Sequence, residues 1–173
     1  MNYQIEEPLS LWSEIIPNLW VGGTDDLDVV CVPKKLPNFG EAKMFDTVVS
    51  LYAHSQPVGW QVKELRYGFG DGPLSPEDDK ELDKIADWAY QEFLSGKKLG
   101  LRCQLGINRS CFLAGKVLLR LGLQPQEAID LIRDKRSRFA LNNRSFVSHL
   151  MVNNPKPSEF GPNHLLSNSH ETP

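Results

Sequence analysis

Cys103 and Arg109, with Ser110 directly after the arginine, are the residues whose types and spacing best suit chemistry. The apolar run 99–101 predicts a strand that ends near the cysteine, and the apolar residues of 111–119 predict a buried helix. A short loop between a strand and a helix turns consecutive N–H groups toward one point, where the positive end of the helix dipole also lies. The arrangement predicts a thiolate nucleophile beneath a bound phosphate, with the arginine holding two phosphate oxygens.

This stretch resembles the signature of the cysteine-dependent protein phosphatases, Cys-x5-Arg followed by Ser or Thr, and in particular their dual-specificity branch with its small bacterial members. The resemblance implies that Cys103 is the nucleophile, that Arg109 binds phosphate and that Ser110 donates a hydrogen bond to the sulfur. It also implies a phosphate-binding loop made of Gln104, Leu105, Gly106, Ile107, Asn108 and Arg109.

Asp71 is the candidate general acid. It lies between two glycines, just before a helix for which Ser75 is the expected N-cap. One helix and one strand fill the 32 residues between Asp71 and Cys103, which returns the chain to the same edge of the sheet. In the family that the sequence resembles, the general-acid aspartate occupies this loop at about this distance. Asp78 and Asp79 are the rivals, but their place in the first helical turn already gives them a capping or dipole role.

Together these residues predict hydrolysis of phosphotyrosine, and also of phosphoserine and phosphothreonine, through a cysteinyl-phosphate intermediate. Cys103 attacks phosphorus, while Asp71 protonates the leaving oxygen and then activates the water that releases inorganic phosphate. Arg109 and the loop amides meet the charge of the transition state, so this mechanism requires neither a metal nor a cofactor. The predicted partner is a phosphorylated protein or peptide.

Three departures from the family pattern bear on the site. Arg102 stands where most relatives have a histidine, and its cation favours the thiolate if it faces the sulfur but contributes little if it points away. Leu105 stands where relatives often have a small residue, which leaves the shape of the pocket floor open. No lysine lies between Cys103 and Arg109, whereas inositol-phospholipid phosphatases typically carry extra positive charge there.

Other functions stay open on the sequence alone. An RNA 5′-triphosphatase or another phosphate-ester hydrolase can use the same kind of loop, and so can a catalytically weak phosphoprotein-binding module. Rhodanese-like and arsenate-reductase-like enzymes also place a cysteine in a loop before a helix, but neither explains Asp71 at its distance. A cysteine hydrolase with His54 or His149 as its base lacks a supporting motif. His54 either faces the substrate or is a plain loop histidine, and His149 is expected on the last helix as a surface or packing residue.

The remaining patterns predict the α/β class, with strands and helices alternating along the chain. Strands are expected over 15–23 (broken by a turn), 45–51, 61–67 (more peripheral) and 99–102. Helices are expected from Ser75, from Cys111 to Gly122 as the covered central helix, from Pro125, and over 146–150. The resemblance implies one domain over 13–153, a mostly parallel twisted sheet of about four or five strands flanked by helices. Residues 1–12 are expected to be an extension and 154–173 a disordered tail.

Composition limits the class of protein. The chain has 173 residues, enough for one domain with a sizeable core, and its 40% hydrophobic and 24% charged residues are ordinary for a globular protein. The net charge of −3 disfavours nucleic acid as a partner, and no apolar run approaches the roughly 20 residues of a membrane span. Three cysteines, of which Cys31 is expected to be buried and inert, make no disulfide framework, and no signal peptide is visible. A reducing cytoplasm is therefore the expected location.

Overall fold

The computed structural model describes residues 10–24, 44–59 and 61–152, so Cys31 and the tail over 154–173 lie outside the described residues. The elements follow the order β1 (Trp12–Ile16), β2 (Leu19–Gly22), β3 (Thr47–Ser50), β4 (Lys63–Arg66), α1 (Pro76–Leu94), β5 (Leu99–Arg102), α2 (Arg109–Arg120), α3 (Pro125–Lys135) and α4 (Arg144–Val152). No helix in this part of the chain is long and apolar enough to cross a membrane.

The five strands form one sheet in the order β1-β2-β5-β3-β4. The pairs β2–β5, β5–β3 and β3–β4 are parallel, whereas β1 pairs antiparallel with β2 as the first arm of a hairpin. The predicted turn inside the first strand is the hairpin turn, where Asn18 adopts a φ of 71°. The predicted mostly parallel sheet is confirmed, and its middle strand, β5, ends immediately before Cys103. Ligand sites of parallel sheets lie beyond such carboxyl ends.

Alternation along β5 decides which side chains face the helices. Leu99, Leu101 and Cys103 belong to the large core that the sheet shares with all four helices, whereas Arg102 lies on the opposite face. α2 is the covered central helix that the sequence predicts, because every residue from Arg109 to Leu119 is buried. The loop between β5 and α2 is thus held at both ends by buried, rigid elements.

At the start of α1, both alternatives to Asp71 as the general acid, Asp78 and Asp79, have structural partners. Ser75 is the N-cap and accepts a hydrogen bond from the Asp78 N–H at 3.0 Å, as predicted. The Asp78 carboxylate accepts hydrogen bonds from the Ser75 hydroxyl at 2.8 Å and the Tyr67 hydroxyl at 2.7 Å, and the latter bond raises the pKa of Tyr67 to about 12. Asp79 forms an ion pair with the buried Lys116 at 2.9 Å. Both carboxylates therefore have structural roles.

Candidate active site

Residues 103–108 form the loop between β5 and α2, and the Cys103 sulfur is enclosed by that loop. The Gly106 N–H donates to the sulfur at 3.3 Å, and the Ser110 hydroxyl lies 3.2 Å from it. Cys103 is only 2% exposed. The sulfur therefore faces an N–H group, a hydroxyl and the start of a buried helix.

Gly106 gives the loop its shape. Its φ of 69° lies in the left-handed region, and a Cβ there would come within 2.5 Å of the Gly22 carbonyl carbon and of the Arg136 Nη2. The same arginine donates from Nε to the Gly106 carbonyl at 2.9 Å and from Nη2 to the Leu105 carbonyl at 3.3 Å. Arg136 is a residue that sequence reasoning did not assign to the site. Its burial lowers the pKa of its guanidinium.

Gly106→Ala should therefore distort the loop. We expect a loss of roughly 1–3 kcal/mol in the free energy of unfolding, the scale of a strained backbone position, and at least a tenfold loss of kcat/KM. Gly96→Ala is the matched control, because Gly96 has a similar φ of 76° but nothing within 4 Å of its added Cβ. Urea unfolding and steady-state kinetics should show that Gly96→Ala loses stability but keeps its turnover. Equal catalytic losses in the two variants would contradict this assignment of Gly106.

Arg109 is the first residue of α2, and its side chain is held from two sides. Nη1 donates to the Phe69 carbonyl at 3.1 Å, and the guanidinium carbon lies 5.4 Å from the centre of the Tyr52 ring. Arg109 is 7% exposed, and its buried Nε has no hydrogen-bond partner among the described residues. A buried N–H without a partner is unfavourable, and an oxygen of a bound anion would satisfy it.

Asp71 lies beside the loop between β5 and α2, as the topology of the sequence predicts. Its Oδ2 accepts a hydrogen bond from the Asn108 amide at 3.1 Å, and its Oδ1 accepts one from the Asn143 amide at 3.1 Å. Sequence reasoning missed Asn143. A polar residue directly before a helix was the one available signal, and it is a weak one.

A cleft of about 530 Å³ joins these groups. Its walls come from three segments, which are the acid loop (residues 71–73), the phosphate loop (residues 103–109) and the segment that leads into α4 (residues 142–145). Of the predicted phosphate-binding residues, Gln104, Leu105, Ile107, Asn108 and Arg109 line the cleft. Gly106 instead contributes its N–H to the sulfur. Leu105 is 56% exposed, so it belongs to the rim of the cleft and not to a closed floor.

Arg102 points away from the cleft, which decides between the two alternatives that the sequence left open. Its Nε donates to the Ser50 hydroxyl at 2.8 Å, and its Nη2 donates to the Glu64 carboxylate at 3.3 Å and to the Gln56 carbonyl. Cys103 comes directly after Arg102 and β5, and it projects to the other face of the sheet. The guanidinium is fully buried among these partners and does not face the thiol.

His54, His149 and the second buried cysteine lie outside this arrangement. His54 is exposed beside Tyr52, with 5.4 Å between ring centres, and does not line the cleft. His149 lies on α4, where its Nδ1 is 3.5 Å from the Asp79 carboxylate. Burial raises the pKa of the Cys111 thiol, which keeps it protonated. The described residues contain no group of three or more His, Cys, Asp or Glu side chains that could hold a metal ion.

No protein-family model matches the sequence, and no curated protein is similar to it in sequence. Solved structures do match. A mouse putative dual specificity phosphatase complexed with zinc tungstate has 18% sequence identity and a TM-score of 0.63, over 87% of this chain and 89% of its own. Tk-PTP in its active form has 21% identity and a TM-score of 0.65, over 83% of this chain and 97% of its own. A human tyrosine phosphatase-like serine/threonine/tyrosine-interacting protein has 17% identity and a TM-score of 0.61, over 81% of this chain and 92% of its own. At these identities, the similarity establishes a shared fold.

Proposed function

The chain has the fold of the dual-specificity phosphatases, and from this premise we propose that it is a cysteine-dependent phosphatase. Its proposed substrates are phosphotyrosine monoesters, together with phosphoserine and phosphothreonine monoesters, in proteins or peptides. The observation that carries the proposal is the convergence of Cys103, Arg109 and Asp71 on one cleft at the carboxyl end of β5. The proposed location is the cytoplasm, where a reducing environment keeps Cys103 as a free thiol.

In the first step, the Cys103 thiolate attacks phosphorus in line with the leaving oxygen. The S–P bond forms while the bond between phosphorus and that oxygen breaks, and the carboxyl of Asp71 transfers its proton to the departing oxygen. Asp71 is exposed at the edge of the cleft, where it can reach the leaving group of a bound substrate. The products of this step are an alcohol or phenol and a cysteinyl-phosphate.

In the second step, the Asp71 carboxylate accepts a proton from a water molecule whose oxygen attacks phosphorus. The S–P bond breaks, inorganic phosphate leaves and the thiolate is restored. Ser110 assists here, because its hydroxyl, 3.2 Å from the sulfur, can donate to the thiolate as negative charge returns to it.

Charge in both transition states remains on the equatorial phosphate oxygens. The loop N–H groups, the start of α2 and the unpartnered Nε of Arg109 are the donors available for them. Donors that are fixed in place before the reaction stabilise such charge strongly, each typically contributing about 10²–10³ in rate.

Asp71→Asn should reduce kcat/KM by roughly 10²–10⁴ for substrates with poor leaving groups, the usual contribution of a general acid. The loss should be small for an activated phenol, which departs without a proton. Wild-type kcat/KM should show a bell-shaped pH dependence, because the thiol must be deprotonated and the acid protonated, and the variant should lose the alkaline limb. Kinetics on aryl phosphates with leaving groups of graded pKa measure both effects.

Asp78→Asn is the control for this variant, since Asp78 binds Ser75 and Tyr67 and does not line the cleft. It should lower the stability of α1 more than it lowers turnover. If Asp71→Asn kept the bell-shaped pH dependence and its kcat/KM fell by the same factor for good and poor leaving groups, Asp71 would not be the acid.

A substrate panel tests the proposed function as a whole. Phosphate release should be measured from a phosphotyrosine peptide, a phosphothreonine peptide, an inositol phospholipid and a 5′-triphosphorylated RNA, each with wild type and Cys103→Ser. We expect release from the peptides by wild type only. Release from the RNA or lipid alone, or tight binding of the peptides without turnover, would overturn the proposal in favour of another hydrolase or a binding module.

A further inference from the structure

The carboxylate of Asp71 belongs to a closed ring of hydrogen bonds that joins the three walls of the cleft. Asn108, in the phosphate loop, donates to one carboxylate oxygen, and Asn143, before α4, donates to the other, each at 3.1 Å. The Asn143 amide also donates to the Gly72 carbonyl at 3.0 Å, and its backbone N–H donates to the Asn108 side-chain oxygen at 3.2 Å. Asn143 therefore contacts both the acid loop and the phosphate loop.

Asn143 itself is rigidly placed. Its side-chain oxygen accepts the Ser145 N–H at 3.0 Å, as an N-cap of α4 does. Leu141, two residues earlier, adopts a φ of 58°, an uncommon value for a residue other than glycine, and its N–H donates to the Ile107 carbonyl at 2.9 Å. The Arg133 guanidinium donates to the carbonyls of Ala140 and Leu141 at 3.1 and 3.3 Å. The turn before α4 is thus tied to both α3 and the phosphate loop.

The acid loop, by contrast, has little support of its own. Asp71 is exposed and lies between Gly70 and Gly72, and a Cβ added to either glycine would meet nothing within 4 Å. Downstream, the Leu74 N–H donates to the Ser145 hydroxyl at 3.2 Å, so the start of α4 anchors this loop at a second point. A glycine-flanked carboxylate with open space around it needs an external partner to keep one position.

We propose that Asn143 is a positioning residue that holds Asp71 over the phosphate loop for proton transfer. The inference rests on the proposed function, because it assigns Asn143 a role through Asp71. Its amide fixes one carboxylate oxygen and the Gly72 carbonyl together, and Asn108 fixes the other oxygen. Loss of the Asn143 amide leaves Asp71 present but poorly placed.

The test uses Asn143→Ser, because a serine at the N-cap still accepts the Ser145 N–H but cannot supply an amide to the acid loop. With poor leaving groups we expect kcat/KM to fall by about 10- to 100-fold, the scale of a misplaced catalytic group, and with an activated aryl phosphate we expect little change. In the Asp71→Asn background, Asn143→Ser should cause almost no further loss, since the group that it positions is already absent. If Asn143 had a purely structural role, the substitution would lower kcat/KM equally for good and poor leaving groups. It would also cause a further loss in the Asp71→Asn background.

Asn142→Ser is the matched control. Asn142 is the neighbouring amide, exposed at the same cleft, and it makes no hydrogen bond through its side chain within the described residues. It should change kcat/KM for good and poor leaving groups by the same factor. If Asn143→Ser does not fold, Asn143→Thr replaces it, because threonine keeps the cap acceptor, lacks the amide and should show the same selective loss.

Two failures are distinguishable. If Asp71→Asn shows the leaving-group dependence but Asn143→Ser lowers kcat/KM equally for all substrates, the positioning role is wrong and the proposed function stands. If neither variant shows leaving-group dependence, the acid assignment fails, and the role of Asn143 fails with it.

Discussion

Cys103→Ser should abolish turnover, with kcat reduced by at least about 10³-fold, since removal of a nucleophile from an enzyme that uses covalent catalysis is among the most damaging single changes. The serine would lie near the Gly106 N–H and the Ser110 hydroxyl, which are the groups that contact the sulfur. Neither group can take a proton from an alcohol at neutral pH. The serine would therefore remain un-ionised and could not attack phosphorus.

The same variant should keep the fold and the ability to bind phosphate, because the loop amides and Arg109 are unchanged. Circular dichroism and calorimetric titration with phosphate or vanadate measure these properties. Cys111→Ala is the control for loss of a thiol, since Cys111 is fully buried and does not line the cleft, and it should retain turnover within a few-fold if it folds. Turnover by Cys103→Ser within tenfold of wild type would show that the nucleophile has been misassigned.

Arg109→Lys should be nearly as damaging as Arg109→Ala, with a loss of about 10³–10⁵ in kcat/KM, comparable to the contribution of arginine to other phosphoryl transfers. A lysine ammonium is a single point charge and cannot form the two parallel hydrogen bonds of a guanidinium. In addition, the single ammonium of a lysine cannot both donate to the Phe69 carbonyl and supply the second N–H donor that the Nε of Arg109 provides.

Affinity for vanadate should fall together with the rate in Arg109→Lys. Arg120→Lys, at the other end of α2, is the matched control, because Arg120 pairs with Asp87 on α1 and lies outside the cleft. Its kinetics should match those of wild type. Retention of most activity in Arg109→Lys would rule out the bidentate role.

The order of the elements and the central position of α2 could be predicted from the sequence because each depends on a local pattern. Short local patterns carry these predictions, namely the Ser75 cap, the apolar spacing within α1 and the apolar side chains around most of α2. The placement of Asp71 near Cys103 followed from a simple topological rule, since one helix and one parallel strand return the chain to the same sheet edge.

The supporting contacts of the site could not be predicted in this way. Asn143 lies 72 residues from Asp71, and Arg136 lies 30 residues from Gly106. No periodic pattern marks either residue, because their partners are set by how α3 and α4 pack onto α2. The orientation of Arg102 was in principle predictable, since alternation along a strand places it opposite Cys103, but this required knowing that β5 extends regularly to residue 102.

The most direct test of the account is to locate the phosphoryl group during turnover. The Asp71→Asn variant suits this experiment, because loss of the group that activates water should slow hydrolysis of the intermediate. After rapid mixing with an activated aryl phosphate and acid quench, peptide mapping by mass spectrometry should find phosphate on the peptide that contains Cys103. The burst of released phenol should equal the enzyme concentration, and Cys103→Ser should show neither signal. Phosphate on any other residue, or steady turnover with no phosphoenzyme and no burst, would contradict the proposal that Cys103 is the nucleophile.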